Sequence, residues 1–174
     1  MKAIVKPTTI YGKTTEYTTN GTYTFNIENG GLYNIELIGA GGGSAYTDGS
    51  TDSYSDTAWA QHYGKSGGNG AIFEGVARLS KGTLSITVGK VGANLAGKGN
   101  TAGDGGDSYI IFTPANGEPV EIVRAGGGKS GYPSGDTYQI DVEGGNVTYN
   151  SDYIVKIMQN TKGKNGTLKW SVHR

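Results

Sequence analysis

Leu32-Tyr33-Asn34-Ile35-Glu36-Leu37-Ile38 runs straight into Gly39-Ala40-Gly41-Gly42-Gly43-Ser44. The first stretch alternates, with Tyr33, Ile35 and Leu37 on one face, which is the pattern of a half-buried strand. The second stretch is almost without side chains. The same junction recurs where Val120-Glu121-Ile122-Val123-Arg124-Ala125 meets Gly126-Gly127-Gly128. Glycine supplies 32 of the 174 residues, roughly 18% where about 7% is usual. Lacking a Cβ, it lets two backbones approach at distances other residues forbid. The chain is therefore expected to replace part of an ordinary side-chain core with packed main chain.

Working outward, period-two alternation dominates. Tyr23 and Phe25 alternate with Thr22 and Thr24, and Asn29-Gly30-Gly31 turns the chain into the strand at Leu32. Ala71 to Leu79 reads as a strand that Ser80-Lys81-Gly82 folds back into Thr83 to Val88, with Leu84, Ile86 and Val88 on one face; this is the clearest hairpin pattern. Ser108 to Phe112, the turn from Pro114 to Pro119, and Val120 to Ala125 make a second hairpin. Thr167 to Val172 is a last strand, in which Trp170 alternates with Leu168 and Val172 as a core residue. The Asn-Gly pairs at 20–21, 69–70, 116–117 and 165–166 read as turns, because both residues tolerate φ > 0. Ser151 to Asn160 carries a weak helical pattern, but Tyr153-Ile154-Val155-Lys156-Ile157 favours a strand. The expected fold is all-β: a jelly-roll-like β-sandwich in a single domain over 1–174, with 1–20 as an N-terminal arm or strand.

Four stretches, Gly39 to Gly43, Gly64 to Gly70, Gly97 to Gly106 and Gly126 to Gly135, are too rich in glycine for strands. Flexible linker is the plain reading. Linkers separate domains, however, and these stretches lie between strands that must pair. Ordered, extended polyglycine with three residues per turn is expected, its strands packing through N–H···O and Cα–H···O contacts.

Bulk properties narrow the function. Apolar residues make up 34%, a lean supply for a core. Fifteen basic and fifteen acidic residues balance, which argues against nucleic acid or an acidic membrane as partner. Without cysteine there is no disulfide and no thiolate chemistry. Met1 to Pro7 lacks the apolar run of a signal peptide, and no stretch approaches a membrane span. Synthesis in a cytoplasm is expected, followed either by residence there or by release without a classical signal, as for a virion component.

Catalytic and cofactor motifs fail in turn. Ile38 to Ser44 resembles a dinucleotide-binding turn, but Ser44 stands where the third glycine belongs and a polar stretch, not a helix, follows. Gly128-Lys129-Ser130 and Gly64-Lys65-Ser66 lack the P-loop's earlier glycine, having Val123 and Trp59 there. Gly103-Asp104-Gly105-Gly106-Asp107-Ser108-Tyr109 partly matches the calcium-binding β-helix nonapeptide, but as a single copy with Ala102 in place of the first glycine, so Asp104 and Asp107 are expected to cap turns. Asp48, Asp52 and Asp56 could chelate a cation, though their Ser and Thr neighbours suit a solvated loop. With only His62 and His173, no Ser–His–acid set can be composed. Neither an enzyme, a cofactor nor a metal site is expected.

The ordered series of Ile38 to Gly43, Gly67-Gly68-Asn69-Gly70-Ala71, Leu79 to Leu84, Ile86 to Gly89, Gly105-Gly106-Asp107-Ser108 and Ala125 to Gly128 resembles the glycine-rich domain of phage tail-fibre and receptor-binding proteins. It is also similar to the glycine-rich extracellular region of the anaplastic lymphoma kinase family. The resemblance covers about Thr22 to Gly131, with the strand after Asn165-Gly166 as a closing strand. It implies a β-sandwich joined to polyglycine II helices, and the design of tail-fibre tip adhesins, whose loops between glycine segments contact the host surface. Carried onto this chain, that design selects the loop between Gly43 and Gly64, with Tyr46, Tyr54, Trp59, His62 and Tyr63, and the loop from Lys129 to Tyr138, with Tyr132 and Tyr138. Tyrosine and tryptophan offer large contact area at low entropic cost. Against this, Trp59 and Tyr63 could fold inward and pin the loop. The implied partners are a host cell-surface glycan or protein, other virion tail proteins, and further copies of the chain, as in a homo-trimer. The expected location is the virion. A purely structural tail or capsid-decoration subunit working as a homo-oligomer is the rival reading, and an ice-binding protein with a flat face a third.

Overall fold

Alternating side chains and short apolar runs favour strands, and the elements among the described residues are all strands. In the computed structural model the described residues are 1–7, 15–47, 60–65, 67–96, 102–131, 142–166 and 168–173. Among them the strands are β1 (Lys2–Pro7), β2 (Thr15–Tyr17), β3 (Gly21–Ile27), β4 (Gly31–Ile38), β5 (Ala45–Thr47), β6 (Ala60–Lys65) and β7 (Ile72–Leu79). The second half adds β8 (Gly82–Val88), β9 (Leu95–Ala96), β10 (Ser108–Pro114), β11 (Val120–Ala125), β12 (Val147–Tyr149), β13 (Ile154–Thr161) and β14 (Leu168–His173).

Two five-stranded antiparallel sheets, ordered β13-β7-β4-β1-β2 and β12-β11-β10-β8-β3, form a β-sandwich. The first sheet contributes Ala3, Val5, Tyr33, Ile35, Leu37, Phe73, Ala77, Leu79 and Ile154 to one apolar core. The second contributes Ile27, Leu84, Ile86, Val88, Ile110, Phe112, Ile122, Val123 and Ala125. Each large side chain removed from water stabilises the fold by about 1.5–3 kcal/mol. The alternation in β4 and β8 falls on the buried face as expected. In β11 two successive residues, Ile122 and Val123, are both buried, because a bulge sets Ile110 opposite Val123 but Ile111 opposite Glu121. On β7, Gly75 lies opposite Ile35 and leaves the space that the Phe73 ring occupies.

Several expectations need correction. β7 and β8 are not a hairpin: β7 pairs with β4 and β13, whereas β8 pairs with β10 and β3. The chain at Ser80-Lys81-Gly82 crosses from one sheet to the other, so the two apolar faces oppose each other across the core. The strand after Asn165-Gly166 does not close the sandwich, since β14 pairs with β6. Asn69-Gly70 and Asn165-Gly166 are not turns but parts of extended segments, and Gly21 (φ 148°) is the one described glycine with positive φ. The segment from Gly43 to Gly64 is not wholly loop, because β5 and β6 occupy its two ends. Residues 154–161 are strand, as favoured, and the β10–β11 hairpin forms. The N-terminal residues supply β1, which lies inside the first sheet between β4 and β2.

Candidate functional site

A third, four-stranded sheet, β14-β6-β5-β9, stands apart from the sandwich in sequence, separated from it by glycine-rich segments. Those segments are 39–44, 67–71, 89–94, 102–107, 126–131, 142–146 and 162–166. Each has one end on a sandwich strand. The other end leads to β5, β6, β9 or β14, or to the departure points at Ala102, Gly131 and Val142. Successive segments therefore run alternately away from and towards the sandwich.

Their backbone hydrogen bonds repeat every three residues. Gly39 and Gly42 donate to the Ala71 and Gly68 carbonyls (both 2.9 Å), while Ala40 and Gly43 donate to Gly106 and Gly103 (3.0 and 2.9 Å). The 126–131 segment is satisfied at every amide. Gly126 and Lys129 donate to Asn146 and Glu143, Gly128 and Gly131 donate to Ala40 and Gly43, and Gly127 and Ser130 donate to the carboxylates of Asp107 and Asp104. No sheet ladder is needed to satisfy these groups.

Close approach is what requires glycine here. A Cβ at Gly42 would overlap the Lys129 carbonyl, at Gly43 that of Ala93, and at Gly128 that of Gly68. At Gly41, just before them, a Cβ would meet nothing nearer than the Gly68 oxygen at 3.8 Å. Each segment is thus wedged against several others, and Ala40 in the middle is fully buried.

The aspartates do not cap their own turns as expected. They reach across to the 126–131 segment. Asp107 accepts from Gly127 N (2.8 Å) and from Arg124 Nη1 (2.7 Å). Asp104 accepts from Ser130 N (2.7 Å) and from Lys129 Nζ (3.0 Å). The Ser130 N–H, with Lys129 beside it, holds the Asp104 carboxyl below the ordinary carboxylate value despite partial burial. Arg124 forks onto Glu121 and stacks on the Tyr109 ring at 4.1 Å, and hydrogen bonds to Glu121 first and Asp107 next push its pKa up. Ser108, fully buried, bridges the sheets: its Oγ donates to the Ile38 carbonyl (2.8 Å) and accepts from Gly89 N (3.0 Å). The three-residue spacing of Asp104 and Asp107 within glycine is the signal that could have revealed the first contacts.

The sequence-selected aromatic residues divide. Tyr46 lies on β5, opposite Gly64 and Ala96; His62 and Tyr63 lie on β6, opposite Ser171 and Trp170 respectively, with Thr47 on the other side of Tyr63. The third sheet thus brings Tyr46, His62 and Tyr63 onto adjacent strands. Tyr54, Trp59, Tyr132 and Tyr138 lie outside the described residues, as do Asp48, Asp52 and Asp56 and the side chains of the third sheet, Trp170 included. At the same end Ser44 N donates to Asn94 Oδ1 (2.8 Å). Among the described residues no group of three or more His, Asp or Glu comes together that could hold a metal ion. No protein-family model matches the chain, and no curated protein matches it significantly.

Proposed function

We propose that the chain is a non-enzymatic adhesion module of a phage or prophage tail, binding a host-surface glycan or protein through Tyr46, Tyr54, Trp59, His62, Tyr63, Tyr132 and Tyr138. The observation that carries this reading is connectivity. The stretches 48–59 and 132–141 both leave from the end of the glycine segments remote from the sandwich, between Thr47 and Ala60 and between Gly131 and Val142. Their departure points are tied together, because Gly131 N donates to Gly43 O (2.8 Å) and Val142 pairs with Gly166.

On this reading the sandwich is jelly-roll-like and the segments form a polyglycine II bundle. Three residues per turn, as in polyproline II, would account for the three-residue rotation of hydrogen-bond partners. A bundle whose amides bond across segments and whose backbones meet too closely for a Cβ at positions such as Gly42, Gly43 and Gly128 makes a stiff pedestal. Stiffness matters because aromatic residues held in place lose little entropy on binding. Other tail proteins would hold the opposite end in the virion.

The test is a double replacement, Tyr54→Ala with Trp59→Ala, scored by adsorption of the labelled protein to host cells and by thermal melting. Adsorption is expected to be lost with the melt unchanged. Undiminished adsorption would remove the loops from the binding surface.

A further inference from the structure

We propose that the free edge of β13 is a docking site for an extended, acidic segment of another polypeptide, which adds to the first sheet as a new strand. This stands independently of the adhesion reading, since it concerns the sandwich and not the far end of the glycine segments.

Among the described residues β13 is the terminal strand of its sheet and pairs with β7 alone. An edge strand presents a row of unpaired N–H and C=O groups, and proteins normally blunt such edges by shortness or by charge. Of the other sandwich edges, β2 and β12 have three residues each, and β3, seven residues long, exposes the polar Thr22, Thr24 and Asn26 and no large apolar side chain. β13 has eight residues, and all but the first are exposed. It displays Val155 (46%), Ile157 (39%) and Met158 (46%). Tyr149 on β12 is also exposed (43%) and stacks on Phe73, whose partner in β13 is Asn160.

Charge selects the occupant. Lys156 lies on the edge strand, and Lys162 and Lys164 follow in the segment just beyond its end; all three are exposed, with no Asp or Glu between Ile154 and Gly166. None of the three is in an ion pair among the described residues; Glu74, on the neighbouring strand, stands opposite Gln159. A second copy docking edge to edge would gather both sets of lysines with no acid to meet them, and like charges across strands destabilise pairing. A segment alternating apolar and acidic residues meets both demands: main-chain bonds with the edge, and carboxylates against the lysines.

The experiment uses the full chain and two labelled, acetylated peptides of the length of β13, one alternating Val and Glu, the other Val and Lys. Fluorescence anisotropy should show saturable, salt-sensitive binding of the Val/Glu peptide alone. Val155→Lys, and separately the combined Lys156→Glu, Lys162→Glu and Lys164→Glu, should each weaken it at least about tenfold. On the unaltered protein, the same peptide should slow hydrogen exchange at amides of β13. Equal binding of both peptides, no binding, or exchange protection elsewhere would overturn the proposal. So would sedimentation as a dimer that Val155→Lys dissociates, since a second copy would then own the edge.

Discussion

Gly42 lies against the Lys129 carbonyl with no room for a methyl group between them, although Gly41, one residue earlier, faces open space out to 3.8 Å. The neighbour at Gly42 is main chain, itself bonded to Glu143 through its N–H (2.9 Å), so it cannot swing aside as a side chain would. Gly42→Ala should therefore cost about 3 kcal/mol or more, beyond ordinary overpacking, or prevent folding. Gly41→Ala should fall within about 0.5 kcal/mol of the parent. Denaturant melts of the pair decide it: equal midpoints would mean the segments are loosely held.

Ser108 makes a second prediction. Its hydroxyl is the link between the ends of β4 and β8, which belong to different sheets. Ser108→Ala would leave the buried Gly89 N–H without this acceptor, at about 1–3 kcal/mol. The urea midpoint should fall with the slope unchanged, because the surface exposed on unfolding is the same. Ser108→Val should be worse, since it adds bulk to a site with no exposure.

How much of this was legible in advance follows from what alternation encodes. Tyr33, Ile35 and Leu37, and likewise Leu84, Ile86 and Val88, announce their buried face because a strand's side chains alternate strictly. Alternation does not say which edge pairs with which, so the arch between β7 and β8 reads equally well as a hairpin. The ordered character of the glycine segments was readable, where the structure describes them, because they lie between strands that must meet; 97–101 and 132–135 of the expected stretches lie outside the described residues. The third sheet was not: Ala45-Tyr46-Thr47 and Ala60 to Lys65 flank a polar stretch, and the partner of β6 is over a hundred residues away at β14. Tyr46, His62 and Tyr63 were selected as loop residues and are strand residues. For Tyr54, Trp59, Tyr132 and Tyr138 the reading rests on composition and resemblance.

Hydrogen exchange can read the three-residue pattern directly. Each amide from Gly126 to Gly131 has its own acceptor, two of them side chains. All six should be protected in the parent. Asp107→Ala should release Gly127 and Asp104→Ala should release Ser130, while the amides of Gly126, Gly128, Lys129 and Gly131 keep their protection. Uniform loss along the segment would mean that the carboxylates hold the whole segment in place; random-coil exchange in the parent would mean that the segment is not fixed at all.

Acid should weaken the fold partly through Asp104. Its carboxyl is held below the unfolded value near 3.8, first by the Ser130 N–H and then by Lys129. A depressed folded value contributes stability that is fully present above the unfolded pKa and is lost as pH falls through the folded one. The contribution is small, below about 1 kcal/mol, because the side chain is half exposed and solvent screens it. Asp104→Asn keeps an oxygen acceptor for Ser130 N–H but cannot titrate. Its melting temperature should start slightly lower than the parent's at neutral pH and fall less steeply below about pH 4, so that the two curves converge in acid. Parallel curves over that range would show that Asp104 acts on Ser130 through geometry alone, with its charge contributing nothing.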